Sequence, residues 1–342
     1  MNKKRLLIFG IGLAIAFVIV SYLRKDAPRQ HHIAGQTMGA IIYNVKYIGS
    51  LQEGLDEEIA EELVSFNESL STYIPSSEIS RLNESGTLRY ESKYFWPVLE
   101  KSKEIFKATD GTFDPSIGPL VQAWGFGPNK QLPNLDSAQI DSLKSIIGFD
   151  KVSFDEQQVE LPSNFQIDFS AIAKGYAVDV VSELLESKGI DDYLVEIGGE
   201  VRCRGRNEDD KPWSLGIEDP TVSQSEQQLM AIVRLRNLSL ATSGNYRNYY
   251  EKDGEVYAHI IDPRTGYTAK HNLLSASVFA NDCMTADAYA TAFMVLGLEY
   301  SKEVISAEGL DAILIYRSKN GIESFVSEGI RPFLEMNTAT GN

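Results

Sequence analysis

Helical and strand patterns come in blocks along this chain instead of alternating, and that order restricts its fold more than any other feature. Leu55, Ile59, Leu63, Phe66 and Leu70 recur at three- and four-residue spacing inside an acidic run, which predicts an amphipathic helix with a solvated carboxylate face. A strand is expected before it, over residues 40–48, where apolar and polar residues alternate. Residues 94–107 and 136–147 read as helices, 152–161 as a hairpin, and 171–187 as a helix with Ile172, Tyr176, Val180 and Leu184 in a four-residue series. Strands then dominate, at 193–197, 201–204, 213–217, 231–235, 256–261 and 274–280. Helices at 285–296 and 299–307 precede closing strands at 312–316 and 324–326. This order predicts an α+β fold, a mixed or antiparallel sheet core packed with helices, and argues against a doubly wound parallel sheet.

The amino terminus is a separate problem. Lys3, Lys4 and Arg5 precede eighteen uncharged residues, Leu6 to Leu23, long enough to cross a bilayer. No small-residue cleavage pattern follows, so one transmembrane signal anchor (1–25) is expected in preference to a cleaved signal, then a polar linker (26–36) and a folded body (37–342). The short basic tail ahead of the apolar segment places that body outside the cytoplasm. A lipoprotein anchor is excluded, because the two cysteines are Cys203 and Cys283, and two unpaired buried thiols are expected there. Beyond the first 30 residues 26 Lys and Arg face 47 Asp and Glu, a net −21. Such a body repels a phosphate backbone, so no nucleic-acid partner is expected, and an anionic ligand needs a local cation or metal.

Three constellations carry chemistry. In IDFSAIAKGYAVD a short strand ends at Asp168 and Lys174 falls in the first turn of a helix, where a cation opposes the helix dipole. An anionic ligand at that helix terminus would resolve the conflict; so would a surface ion pair with Asp168. In TADAYATAFMVLG, Asp287 and Thr291 share one face of an otherwise apolar helix. They offer two oxygen ligands to a hard cation such as Mg²⁺, or a dipole-favoured carboxylate and a hydroxyl bonded back to its helix. In HIIDPRTG, His259 leads into a tight turn, either packed or serving as an acid or base. Gly198 and Gly199 at a strand end permit close approach of backbone to ligand, and the common glycine-rich nucleotide cradles are absent from the sequence.

Taken in order, TMG at Thr37, STYIPSSEISRLN at Ser71, GTFDPSIGPLVQAWGFG at Gly111, IDFSAIAKGYAVD, VEIGGEVRCRG at Val195, ATSGNYR at Ala241, HIIDPRTG and ADAYATAFMVLG closely resemble the ApbE family of FAD:protein FMN transferases. The match runs from Thr37 to about Gly297. Ser170 and Ala171 stand where glycines are frequent in the family, and the lipoprotein cysteine of many members is missing. The resemblance implies an ApbE-like domain over 37–342, as one unit or two intertwined subdomains, on the periplasmic side of a bacterial inner membrane. It implies Mg²⁺-dependent transfer of FMN from FAD to a Thr or Ser hydroxyl of an acceptor protein, a membrane redox subunit with a flavinylation motif, with release of AMP. By the same resemblance Met38, Tyr73, Thr112, Phe113, Asp114, Asp168, Lys174 and Ile261 would contact FAD. The Ala171 carbonyl, Asp287 and Thr291 would hold Mg²⁺. His259, Lys174 and Asp168 are the catalytic candidates, with His259 favoured as the base. A Mg²⁺-dependent FAD pyrophosphatase and a non-enzymatic FAD-binding envelope protein are the alternatives.

Overall fold

The computed structural model describes residues 29–125, 135–222, 228–244, 249–252, 255–258 and 260–336. Its first half is β1 (Arg29–Thr37), β2 (Ile41–Gly49), α1 (Leu55–Leu70), α2 (Glu78–Ser85), β3 (Thr87–Arg89), α3 (Phe95–Ala108), α4 (Gly118–Ala123), α5 (Ser137–Ser145), β4 (Ser153–Phe154), β5 (Gln158–Glu160) and α6 (Ala173–Ser187). There follow β6 (Tyr193–Ile197), β7 (Glu200–Arg204), β8 (Trp213–Glu218), β9 (Leu229–Leu235), β10 (Leu238–Gly244), β11 (Tyr249–Lys252), β12 (Glu255–Ala258) and β13 (Leu273–Ala280). The chain closes with α7 (Cys283–Leu296), α8 (Leu298–Glu308), β14 (Asp311–Ser318), β15 (Gly321–Val326) and β16 (Leu334–Met336). Eight strands form one sheet in the order β1-β2-β6-β7-β10-β13-β14-β15. The expected α+β class is met, and every pairing between described strands is antiparallel.

Two-residue periodicity sorts the side chains of that sheet onto two cores. Val195 and Ile197 of β6, Ala276 and Val278 of β13, and Ala312 and Leu314 of β14 face the helices. Their neighbours Leu194, Phe279, Ile313 and Ile315 face the other way, against Trp213, Ile217, Ala231 and Val233 of the three-stranded sheet β16-β9-β8. The helical layer is built as its spacing requires: α1 buries Leu55, Ile59, Leu63, Phe66 and Leu70. A smaller cluster of Leu120, Trp124, Ile140, Ile147 and Ile261 sits under α4 and α5.

The polar stretch expected as a linker is corrected by the structure from Arg29 onward, because residues 29–37 pair in register with β2 as an edge strand. The remaining linker residues and the expected anchor, residues 1–25, lie outside the described residues. Among the described residues no helix is long and apolar enough to cross a membrane. Cys203 and Cys283 are both free and buried.

Helix α7 is buried on nearly all sides, as an apolar, alanine-rich helix must be. It lies against α6, and each helix satisfies the other's free N–H groups. Asp179 of α6 accepts the Cys283 and Met284 N–H groups, at 2.9 and 2.7 Å, at the start of α7. Asp287 of α7 accepts the Gly175 N–H at 2.9 Å in the first turn of α6. Arg202 of β7 donates to Asp179 at 2.9 Å and to Glu186 at 3.1 Å, tying the helix pair to the sheet.

Burial holds the Asp179 carboxyl up at about 6 from an ordinary 3.8, although the two N–H groups and Arg202 pull it down. The folded chain therefore binds this proton at higher pH than the unfolded chain. The stability linked to it is present in full below 3.8 and is lost as pH rises through about 6. In urea unfolding, wild-type stability minus that of Asp179→Asn is expected to fall between about pH 4 and pH 7. A flat or rising difference would mean that Asp179 is ionised throughout that window.

Candidate functional site

The site forms where α6, α7 and the β6–β7 turn meet. That turn is Gly198-Gly199, both at positive φ (62° and 103°), a region glycine enters without strain. Glu196 fastens it, accepting the Gly199 N–H at 2.8 Å through one oxygen and the Asn44 amide of β2 at 2.7 Å through the other. A Cβ on Gly198 would stand 2.8 Å from Ile41 and 3.5 Å from Cδ of Lys174. The turn thus lies directly against the lysine.

Lys174 is in the first turn of α6, as expected, but its partner is Glu200 and not Asp168. Its Nζ donates to Glu200 Oε1 at 2.5 Å. Asp168 instead accepts the backbone N–H and the hydroxyl of Ser170, at 2.7 and 2.5 Å, in the turn that leads into α6. Glu200 and Asp287 are both buried, and burial raises both carboxyls, with Lys174 pulling each back down. Burial also works to lower the Lys174 pKa, but Asp287 and Glu200 outweigh it and hold the ammonium above the ordinary lysine value. Two carboxylates thus share one ammonium in a buried place, a balance that favours a further cation.

The donor set that the resemblance assigned to Mg²⁺ fits such a cation. In a regular first turn the Gly175 N–H would bond the Ala171 carbonyl; here it goes to Asp287, and that carbonyl accepts no backbone N–H among the described residues. The second Asp287 oxygen accepts no hydrogen bond among the described residues either. Thr291, one turn further along α7, meets the Ser243 hydroxyl of β10 at 3.3 Å rather than bonding back to its helix. Carboxylate, hydroxyl and carbonyl oxygens are the ligands a hard divalent ion takes. Among the described residues no group of three or more His, Cys, Asp or Glu is arranged for a metal, so this mixed set is the candidate.

The residues assigned to FAD divide between groups. The Asp168 N–H donates to Pro115 O at 2.8 Å, which brings Asp168 beside the Thr112-Phe113-Asp114 run. Thr112 and Phe113 are each 2% exposed, and the Thr112 hydroxyl is used on Thr109 O at 2.9 Å, so neither side chain is presented to a ligand. Asp114 is buried, its carboxyl pushed up by burial, and accepts the Ser116 N–H and hydroxyl at 2.8 and 2.6 Å. Met38 sits at the β1–β2 turn with φ 48°, Tyr73 is 81% exposed, and Ile261 is buried in the cluster under α4 and α5. No hydrogen bond joins Met38, Tyr73 or Ile261 to the Lys174 cluster among the described residues. His259 lies outside the described residues, as do residues 245–247 of the ATSGNYR motif. Glu200 was not singled out from the sequence, although it stands next to the Gly-Gly pair that was.

This antiparallel α+β body has known relatives, and the chain belongs to the ApbE family, whose model matches residues 37–314. Its relatives are similar over almost their full length. The FAD:protein FMN transferase of Vibrio cholerae serotype O1 is 37% identical over 332 residues, 94% of this chain and 98% of that protein. That of Haemophilus influenzae is 37% identical over 344 residues, covering 96% and 98%. Among solved structures, the flavin transferase ApbE from Vibrio cholerae superposes with a TM-score of 0.79 at 35% identity, covering 90% of this chain and 99% of that one. The apo flavinyl transferase ApbE of Pseudomonas stutzeri gives 0.80 at 32%, covering 90% and 97%.

The closeness of α6 and α7 is testable at Gly175. A Cβ there would lie 2.2 Å from the Cys283 carbonyl oxygen and 2.7 Å from Cβ of Asp287. Helix propensity alone favours alanine over glycine by about 1 kcal/mol, so a net loss isolates the steric term. Gly175→Ala is expected to cost about 3 kcal/mol in urea unfolding. A neutral or stabilising outcome would mean that the two helices do not approach this closely in solution.

Proposed function

We propose that this protein transfers FMN from FAD to a Thr or Ser hydroxyl of an acceptor protein, forming a phosphoester and releasing AMP. The observation that carries this is the buried cluster of Lys174, Glu200 and Asp287 beside the Gly198-Gly199 turn, in a chain similar throughout to FAD:protein FMN transferases. The acceptor oxygen bonds to the phosphorus on the riboflavin side. The bond from that phosphorus to the bridging oxygen breaks, and AMP leaves with that oxygen.

Each residue has a task in that step. Mg²⁺ held by Asp287, Thr291 and the Ala171 carbonyl would supply charge neutralisation on the pyrophosphate. The Lys174 ammonium, raised in pKa and so charged at neutrality, offers a second positive group in an otherwise acidic body. Gly198 and Gly199 let backbone approach the ligand where a side chain would obstruct it. His259 takes the hydroxyl proton as general base. The Asp168 loop and the Thr112-to-Asp114 backbone hold the nucleotide. An amino-terminal anchor over residues 1–25 would keep the domain on the extracytoplasmic face of the membrane, next to an acceptor that is itself a membrane redox subunit.

The direct test is to incubate the protein with FAD, Mg²⁺ and a threonine-containing acceptor peptide and to follow the peptide by mass spectrometry and AMP by chromatography. A peptide heavier by one FMN phosphoester, with equimolar AMP, is expected. AMP with free FMN and an unmodified peptide would point to a pyrophosphatase, and uncleaved FAD to a carrier. Asp287→Ala is expected to abolish turnover; full activity at ordinary Mg²⁺ would remove the metal assignment. His259→Asn is expected to slow transfer by about 10²–10⁴ with FAD binding retained. Parallel loss of binding and rate would instead make His259 a ligand contact.

A further inference from the structure

Glu200 has more burial and less bonding than a stabilising ion pair requires. It opens β7 immediately after the glycine turn, and its side chain is 3% exposed. One oxygen receives the Lys174 ammonium, while Oε2 is buried with no hydrogen-bond partner among the described residues. A bare carboxylate oxygen in a buried place costs free energy, and the neighbouring Asp287 charge adds to that cost. An apolar pair of the same volume would serve stability equally well or better. The arrangement is therefore kept for something other than stability.

Lys174 shows what that is. Its side chain is 29% exposed, so one side is open to a ligand while Glu200 holds it from the buried side. An ammonium has three donors, and the bond to Glu200 leaves two for a second partner. A free lysine side chain samples many rotamers, and that freedom must be lost when its charge is aligned on a substrate. A lysine already fixed by Glu200 loses that freedom on folding instead of at the reaction. The Gly198 turn adjoins the pair, since a Cβ built there would stand 3.5 Å from Cδ of Lys174 and 3.7 Å from Glu200 Oε2.

We propose that Glu200 is a positioning residue for Lys174, fixing the direction of the ammonium so that it meets the dinucleotide pyrophosphate in line for displacement, without itself touching the reacting atoms. This rests on the FMN-transfer reading. Glu200→Gln, of equal size, is expected to slow single-turnover transfer about 10–100-fold while the FAD dissociation constant changes by less than about threefold. Added to Lys174→Met, it should cause no further slowing, because a residue acting through Lys174 has nothing left to position. Glu200→Asp, which keeps the charge on a shorter arm, should fall between Gln and wild type. A second readout needs no turnover: acetic anhydride should acetylate Lys174 several-fold faster in Glu200→Gln, with the exposed Lys211 unchanged, as mapped by peptide mass. A wild-type rate in Glu200→Gln, or the same slowing with and without Lys174, would overturn the proposal, as would unchanged acetylation. If the wild type transfers no FMN, the functional reading fails, and the acetylation rate still decides whether Glu200 holds Lys174.

Discussion

Everything around the site depends on the exchange of carboxylates between α6 and α7. Helix starts leave N–H groups that need acceptors, and here each start is served by an aspartate from the other helix. Neither helix can shift along the other without stranding a buried carboxylate. The same bonds have a second effect: with the Gly175 N–H turned toward Asp287, the Ala171 carbonyl is free of its usual partner. A packing device thus shapes the donor set of the candidate cation site. Glycine at 175 is the condition for both, because the helices touch where its side chain would be.

Charge supplies the second constraint. The body is strongly acidic, yet its proposed substrate is a pyrophosphate, so repulsion has to be reversed locally. Lys174, kept charged by two buried carboxylates, is one cation there, and the divalent ion proposed for the same cluster would supply the remaining positive charge. Arg202, two residues beyond Glu200 on β7, has the parallel structural task of neutralising Asp179 and Glu186 so that the helix pair can rest on the sheet. The two cations therefore divide the work between ligand and scaffold.

Much of this was legible in the sequence, wherever a local conflict or a strong period exposed it. The spacing in α1 is its buried face, and a carboxylate on the apolar helix α7 and a cation in the first turn of α6 both announced missing partners. The partners themselves were not legible. Lys174 chose Glu200, 26 residues away across a strand, over Asp168, because Asp168 is used by Ser170 in its own turn. β1 read as linker because an edge strand buries little and RQHHIAGQT has no apolar alternation to betray it. α2 was missed as a short helix that buries Glu78, Ile79 and Leu82, started by the Ser77 hydroxyl accepting the Ser80 N–H.

The two cysteines give the fold an unusual independence of its surroundings. Burial pushes the Cys203 thiol up to about 12 and Cys283 well above its ordinary value, so neither presents a thiolate to an oxidant or to a disulfide exchange partner. The domain has no bridge to form and none to lose. Once folded, it keeps both thiols buried whether its surroundings are oxidising or reducing.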